Sequence, residues 1–290
     1  MDWGDDEFGL FAALQSGYTG PIWMERLERL FWLELWRAPV VDAVEEDRIE
    51  QRFFGPVQAT IVREFADTAL LNLVLGAALP GAVNRGHLEE ALDWIESHDV
   101  RCRVPIAPGL PESEAAEDLL NHRGYQRTAS MARFARTASP PGYPEPPGID
   151  VVEVDEFTEG FGDFVGDAFE LPVSADGFFG GLPERECWRC YVAIDQDERP
   201  IGCASMMLHD DGFSQLAFAA VSEADRGKGA NLALLRRRVL DTPTHYRTLF
   251  ADTEEPLEDL DGPSQAARNL VRAGFAQIAV RQVWQPTHSE

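Results

Sequence analysis

The stretch LAFAAVSEADRGKGANLALLRRRVL, residues 216–240, decides how this chain reads. An apolar run from Leu216 to Val221 gives way to the acidic turn Ser222-Glu223-Ala224-Asp225 and then to Arg226-Gly227-Lys228-Gly229-Ala230-Asn231. Leu232, Leu234, Leu235, Val239 and Leu240 follow at helical spacing. The order predicts strand, glycine loop and helix. Glycines let the backbone approach a ligand closely, and the first turn of a helix carries N–H groups with no intrahelical partner. Such a junction therefore suits an anion such as pyrophosphate. The spacing is neither that of a dinucleotide-binding fingerprint nor that of a P-loop.

The flanks extend the pattern. Residues 190–221 predict three strands, joined by turns at 195–200 and 209–212 that are rich in Asp or Gly. Downstream, TLFADT (248–253) predicts a strand. SQAARNLVRAGFAQIAVRQVW (264–284) predicts a helix ending before Gly274-Phe275, then a last strand. The loop resembles motif A of the GNAT superfamily of N-acetyltransferases, R/Q-x-x-G-x-G/A. Arg226 and Gly229 match it, and Asn231 stands where Gly or Ala is usual. The helix closing in Arg272-Ala273-Gly274-Phe275 resembles motif B of the same family. The resemblance covers about half the chain, residues 148–284.

That resemblance implies acetyl-CoA as co-substrate and no metal. It implies that Arg226, Gly227, Lys228, Gly229, Ala230 and Asn231 hold the pyrophosphate. It further implies that the motif A strand splays from its neighbour, so that the backbone at Ala219 and Val221 binds the pantetheine arm and polarises the thioester carbonyl, with Asn269 a polar contact to that arm. The family often carries a tyrosine acid four residues before the motif B glycine. Here that place is Leu270, which leaves Ser264 or a water to serve. An alkyl amine is mostly protonated at neutral pH, so a base or a water chain is expected. The candidates are Asp252 at the end of its strand, Glu254 and Glu255 just beyond, and Glu223 after the motif A strand. Asp252, Glu254 and Glu255 also read as ordinary solvated carboxylates, Glu223 as a charge near a helix start, and Asn269 as helix-surface polarity. Arg236, Arg237 and Arg238 extend the basic cluster toward the phosphates or are solvated helix charges.

Composition narrows the function. The 290 residues are 44% hydrophobic, and 50 acidic against 25 basic residues give a formal charge of −25, with Lys228 the one lysine. Such a surface repels nucleic acid and anionic membranes and favours cationic or neutral acceptors. No apolar run reaches the roughly 20 residues of a membrane span, and the acidic start lacks the positive region of a signal peptide, so a cytoplasmic protein is expected. Four scattered cysteines predict reduced thiols, and the Cys187-x-x-Cys190 pair has no second pair to complete a zinc site.

Five prolines among residues 139–148 predict an extended linker between a domain at 1–138 and another at 149–290. Leu120, Gly124 and Tyr125 lie 150 residues before Leu270, Gly274 and Phe275, and each set precedes a strand-like run ending in an aromatic, Phe134 or Trp284. Two copies of one fold are expected. The first copy offers GAALPGAVNRGHLEE (76–90) where the second has its Arg-x-x-Gly-x-Asn loop, so it is the degenerate one and should not hold coenzyme A. The arrangement resembles a bacterial class of tandem acetyltransferases in which Ser-Gln immediately precedes Arg-Asn in motif B. Here Ala266 and Ala267 separate Ser264-Gln265 from Arg268-Asn269.

Residues 1–19 predict a short helix or ordered tail, and the aromatic stripe of residues 21–44 predicts a helix packed into the core. The phenylalanines of residues 157–184 would give an acceptor pocket a partly apolar wall. The expected fold is α/β with a mixed sheet, in two tandem acyl-CoA N-acyltransferase units. The expected function is acetyl transfer from acetyl-CoA to the amine of a small molecule, by a monomer or homodimer, with the first domain walling one side of the cleft. The alternatives are another acyl-CoA or acceptor, or a non-catalytic acyl-CoA-binding protein.

Overall fold

The structure, a computed structural model, describes residues 20–37, 49–156, 159–171, 179–210, 212–255 and 262–287. The expectations for residues 1–19 and 38–44 lie outside them.

Helix α1, Pro21–Leu35, begins with Pro at its first turn, where the missing N–H costs nothing, and buries Leu27, Phe31, Trp32 and Leu35. Strands β1 (Ile49–Phe54), β2 (Val57–Val62) and β3 (Leu73–Leu75) form an antiparallel sheet. Helix α2 (His87–Glu96) lays Leu88, Ala91, Leu92 and Ile95 into the core at helical spacing. Strand β4 (Val104–Ile106), helix α3 (Ser113–His122) and the long strand β5 (Tyr125–Thr137) complete the first half.

The proline-rich stretch then runs without helix or strand to β6 (Asp150–Val154). Helix α4 (Glu159–Ala168) precedes the meander β7 (Trp188–Ile194), β8 (Pro200–His209) and β9 (Phe213–Val221), the three strands predicted for that segment. Helix α5 (Ala230–Asp241), strand β10 (Thr248–Glu255), helix α6 (Gln265–Arg272) and strand β11 (Ala276–Pro286) follow in the expected order.

The pairing of these strands departs from two copies lying side by side. Eight strands form one sheet in the order β4-β11-β5-β10-β9-β8-β7-β6, so each half's last strand sits in the other half. Strand β5 pairs antiparallel with β10 from Thr248↔Thr137 to Glu255↔Ser130, and β11 pairs antiparallel with β4 through Gln282↔Ile106. Between them β5 and β11 run antiparallel from Ala276↔Ala135 to Pro286↔Tyr125. The two halves echo each other about this central pair. Strand β9 runs parallel to β10, and β3 meets the residue before β4 in a parallel bridge, Leu73↔Arg103. The exchange carries core residues with it: Trp284 of β11 packs in the first half's core, and Phe134 of β5 in the second's.

Side chains alternate across β10, so Leu249 and Ala251 face α5 and α6 while Phe250 packs against Leu27 of α1 on the opposite face. No helix among the described residues is long and apolar enough to cross a membrane.

Candidate active site

Parallel pairing of β9 with β10 stops at Ala251↔Leu216, and beyond that point the two strands separate. A bulge in the β8–β9 pairing lies beside this gap. Ser205 pairs with Ala217 and Cys203 with Ala220, so Phe218 and Ala219 together stand opposite one residue, and Phe218 adopts φ +46°, unusual for a bulky side chain. The Phe218 ring is held among Phe31, Phe179 and Trp188. A cleft of about 570 Å³ opens at the gap and runs from Asn231, Leu235, Arg238 and Leu270 to Arg103, Met131, Phe169 and Glu254. The segment expected to wall an acceptor pocket contributes Phe169 and Glu170 here, while Phe161 and Phe179 are buried in the core and residues 157–158 and 172–178 lie outside the described residues.

A second cleft of about 920 Å³ is continuous with the first through Phe169, Ala219, Asn231 and Ala266 and surrounds the glycine loop. Gly227 (φ +82°) and Gly229 (φ +105°) adopt backbone conformations that other residues resist, which turns the chain sharply into α5. Among the described residues no side chain caps α5, and Ala233 N–H is the first to bond back, to Gly229 O at 3.0 Å. The amides of Gly229, Ala230, Asn231 and Leu232, just ahead of it, make no backbone hydrogen bond among the described residues and are left for a ligand. A Cβ at Gly227 would meet nothing within 4 Å, whereas one at Gly229 would lie 3.0 Å from Pro146. The cradle is thus open over Gly227 and bounded by the proline-rich stretch, whose Tyr143 donates to Leu232 O at 2.9 Å. These features fit a pyrophosphate.

The remaining predicted residues fall into three groups. Ala219, Val221, Arg226, Gly227, Lys228, Gly229, Ala230, Asn231 and Asn269 all line the loop cleft. Asn269 Nδ2 donates to Asn231 Oδ1 (3.0 Å) and Gln265 Nε2 to Asn269 Oδ1 (3.0 Å), a polar line along the cleft wall. Arg226 is exposed and has no ion pair among the described residues, while Lys228 is 2.8 Å from Asp225. Asp225 is a buried carboxylate that sequence reasoning passed over. Hydrogen bonds from Arg199, Lys228 and Ser222 hold its pKa well below the usual range. Arg272 also lines this cleft; Arg236 instead bonds Tyr143 O and Arg237 bonds Asp241, so neither reaches the phosphate cradle.

Asp252 and Ser264 line the acceptor cleft, but both are engaged. Arg133 bonds Asp252 through Nε (2.9 Å) and Nη2 (2.7 Å), Gln215 donates at 3.1 Å, and Arg281 lies 3.3 Å away. Burial alone would raise the pKa of Asp252, yet the arginines outweigh it and lower the value. Arg133 and Arg281 also pair with Glu28, which pins α1 to the centre of the sheet. Ser264 caps α6, accepting from Ala267 N–H at 3.1 Å while donating to Glu255 at 2.6 Å. Glu255 is thereby tied to the cap, and Glu254 pairs with Arg103 at 2.9 Å. Glu223 is exposed and lines neither cleft. Leu270 is buried against the cleft, so no hydroxyl acid stands there.

In the first half the corresponding loop is filled from within. The Glu112 carboxylate, just before α3, accepts from the amides of Gly81 (2.6 Å), Val83 (2.6 Å) and Asn84 (3.2 Å) and from Asn84 Nδ2 (2.9 Å). The protein's own anion sits where a ligand's would.

The architecture can be compared with solved structures. A GCN5-related N-acetyltransferase from Kribbella flavida superposes with a TM-score of 0.63 at 16% identity, covering 91% of this chain and 96% of that one. A tandem GNAT protein from the clavulanic acid biosynthesis pathway gives 0.54 at 15% identity, covering 89% and 95%. The chain has the tandem GNAT fold. A GCN5-related N-acetyltransferase from Sphaerobacter thermophilus shares the fold at a TM-score of 0.56 and 19% identity, over 79% of this chain and 76% of that one. No protein-family model and no curated protein sequence matches the chain. The GNAT fold is therefore carried here by a sequence far from its structural neighbours.

Proposed function

We propose that this tandem GNAT protein is a cytoplasmic, acetyl-CoA-dependent N-acetyltransferase acting on the amine of a small molecule. The observation that carries the reading is the union of an uncapped helix behind a glycine loop with a bulged, splayed strand edge in one continuous cleft. The coenzyme supplies an activated acyl thioester. The loop amides and Arg226 neutralise its pyrophosphate, the Asn231–Asn269 line lies along its arm, and the β9 edge at Ala219 and Val221 offers backbone donors to the carbonyl. Leu70, Arg103 and Met131 come from the first half to wall the acceptor side. Asp252, held ionised by two arginines, is a weak base; its role is to fix β10 against β5 and α1. The amine's proton leaves through water past Glu254 and Glu170 at the acidic lip of the cleft.

Calorimetric titration with acetyl-CoA on the parent and on an Arg226→Ala/Gly229→Asp variant tests this. Micromolar affinity, about −8 kcal/mol, is expected for the parent and should be lost in the variant. A folded parent that binds no acetyl-CoA overturns the reading. The buried Leu270 favours a second reading, an acyl-CoA-binding protein without turnover. That reading gains if binding is tight and no amine of a broad panel releases thiol.

A further inference from the structure

Arg238 is 1% exposed, yet it has no acidic partner among the ion pairs of the described residues. Its Nε donates to Leu234 O at 3.2 Å, and its Nη1 donates to Ser205 O at 3.0 Å and to Ala217 O at 3.4 Å. Nη2 makes no hydrogen bond among the described residues, and the side chain lines the cleft at the splay of β9 and β10. Ala217 is the residue before Phe218 and Ala219, so the guanidinium is fastened beneath the bulge. The same cleft is lined by Leu270, where an acid would be expected. A buried cation without a counter-charge is costly, and here its cost coincides with a missing proton donor.

Resting on the N-acyltransferase reading, we propose that Arg238 is the counter-charge of the departing thiolate, doing by electrostatics what the absent acid would do by proton transfer. In the transfer the amine nitrogen bonds to the acyl carbon and the carbon–sulfur bond breaks with its electron pair left on sulfur. The proton lost by nitrogen passes to water, and the thiolate is reprotonated by solvent after release. Arg238 moves no proton. Burial brings its pKa down to about 10, which still leaves it charged at neutral pH. A fixed positive charge at a buried position is worth far more than one in solvent, because it needs no reorganisation as negative charge develops. The neighbouring arginines cannot substitute, since Arg236 bonds the linker and Arg237 pairs with Asp241.

The test measures the thiol rather than turnover alone. Coenzyme A and desulfo-coenzyme A are titrated onto the full chain across pH, and thiolate formation is followed by ultraviolet absorbance. In the parent, the thiol of bound coenzyme A should titrate at least about one pH unit below the free thiol, a tenfold preference for thiolate. Arg238→Met should abolish that shift without changing desulfo-coenzyme A affinity, and Arg238→Lys should keep part of it. In turnover, Arg238→Met should slow kcat by about two orders of magnitude at little change in KM for the thioester. A parent whose bound thiol titrates as in solution overturns the proposal without any variant, as does an Arg238→Met protein that keeps the shift. Failure of the parent to bind desulfo-coenzyme A brings down the acyltransferase reading and this proposal with it. Normal binding with an unshifted thiol brings down this proposal alone.

Discussion

Replacing Glu112 with glutamine keeps its shape but removes the charge that Gly81, Val83 and Asn84 converge on. Loss of these charge-assisted bonds should destabilise the fold by about 1–3 kcal/mol, read by denaturant unfolding. Burial pushes the Glu112 pKa up, but the loop's hydrogen bonds bring it below the ordinary value of 4.5. A depressed carboxylate adds stability that is fully present above its unfolded pKa and lost as pH falls through the folded one. The stability gap between parent and Glu112→Gln should therefore be constant near neutrality and close progressively below about pH 4.5. At this scale the sequence is readable where backbone geometry dictates residue type, as at Gly227 and Gly229, whose positive φ angles explain the loop pattern. It is unreadable where a role depends on a distant partner. Asp252 reads as a base until Arg133 and Arg281 are placed around it, and nothing in the sequence marks Glu112 as the filler of a loop some 30 residues earlier.

Helix α6 shows the same division among elements. Its start and end are written locally: Ser264 caps it, and Gly274 (φ +82°) closes it as Phe275 N–H bonds Leu270 O at 3.0 Å and Gly274 N–H bonds Val271 O at 3.0 Å. Ser264→Ala should cost about 1 kcal/mol of stability in thermal unfolding and change turnover by no more than about threefold. If turnover instead drops by two orders of magnitude, Ser264 is restored as the acid. Helix α1 is legible from its aromatic stripe, but its purpose is not. The stripe predicts burial, whereas the ion pairs of Glu28 with Arg133 and Arg281 show that the helix also neutralises the middle of the sheet. Buried charges need geometry that periodicity does not encode.

For the whole molecule, the exchange of β5 and β11 outweighs every local feature. The repeat is visible in Leu120, Gly124 and Tyr125 against Leu270, Gly274 and Phe275, and so are the strands ending in Phe134 and Trp284. What cannot be read is that each strand crosses over, because strand period 2 names a buried face and not the sheet that buries it. Cutting the chain within residues 139–148 should leave two fragments that are each unfolded or aggregated alone, since each lacks a central strand and exposes an unpaired edge. Mixed, they should recover the parent's circular dichroism and coenzyme binding. Two independently folded fragments would contradict the pairing of β11 with β4. The same exchange has a consequence for biosynthesis. A chain leaves the ribosome from its N-terminus, and the first half's strand β4 waits for a partner that begins at Ala276. Strand β11 must therefore emerge before the first half can close its sheet, so the edges of β4 and β5 stay unpaired through the synthesis of all the intervening residues.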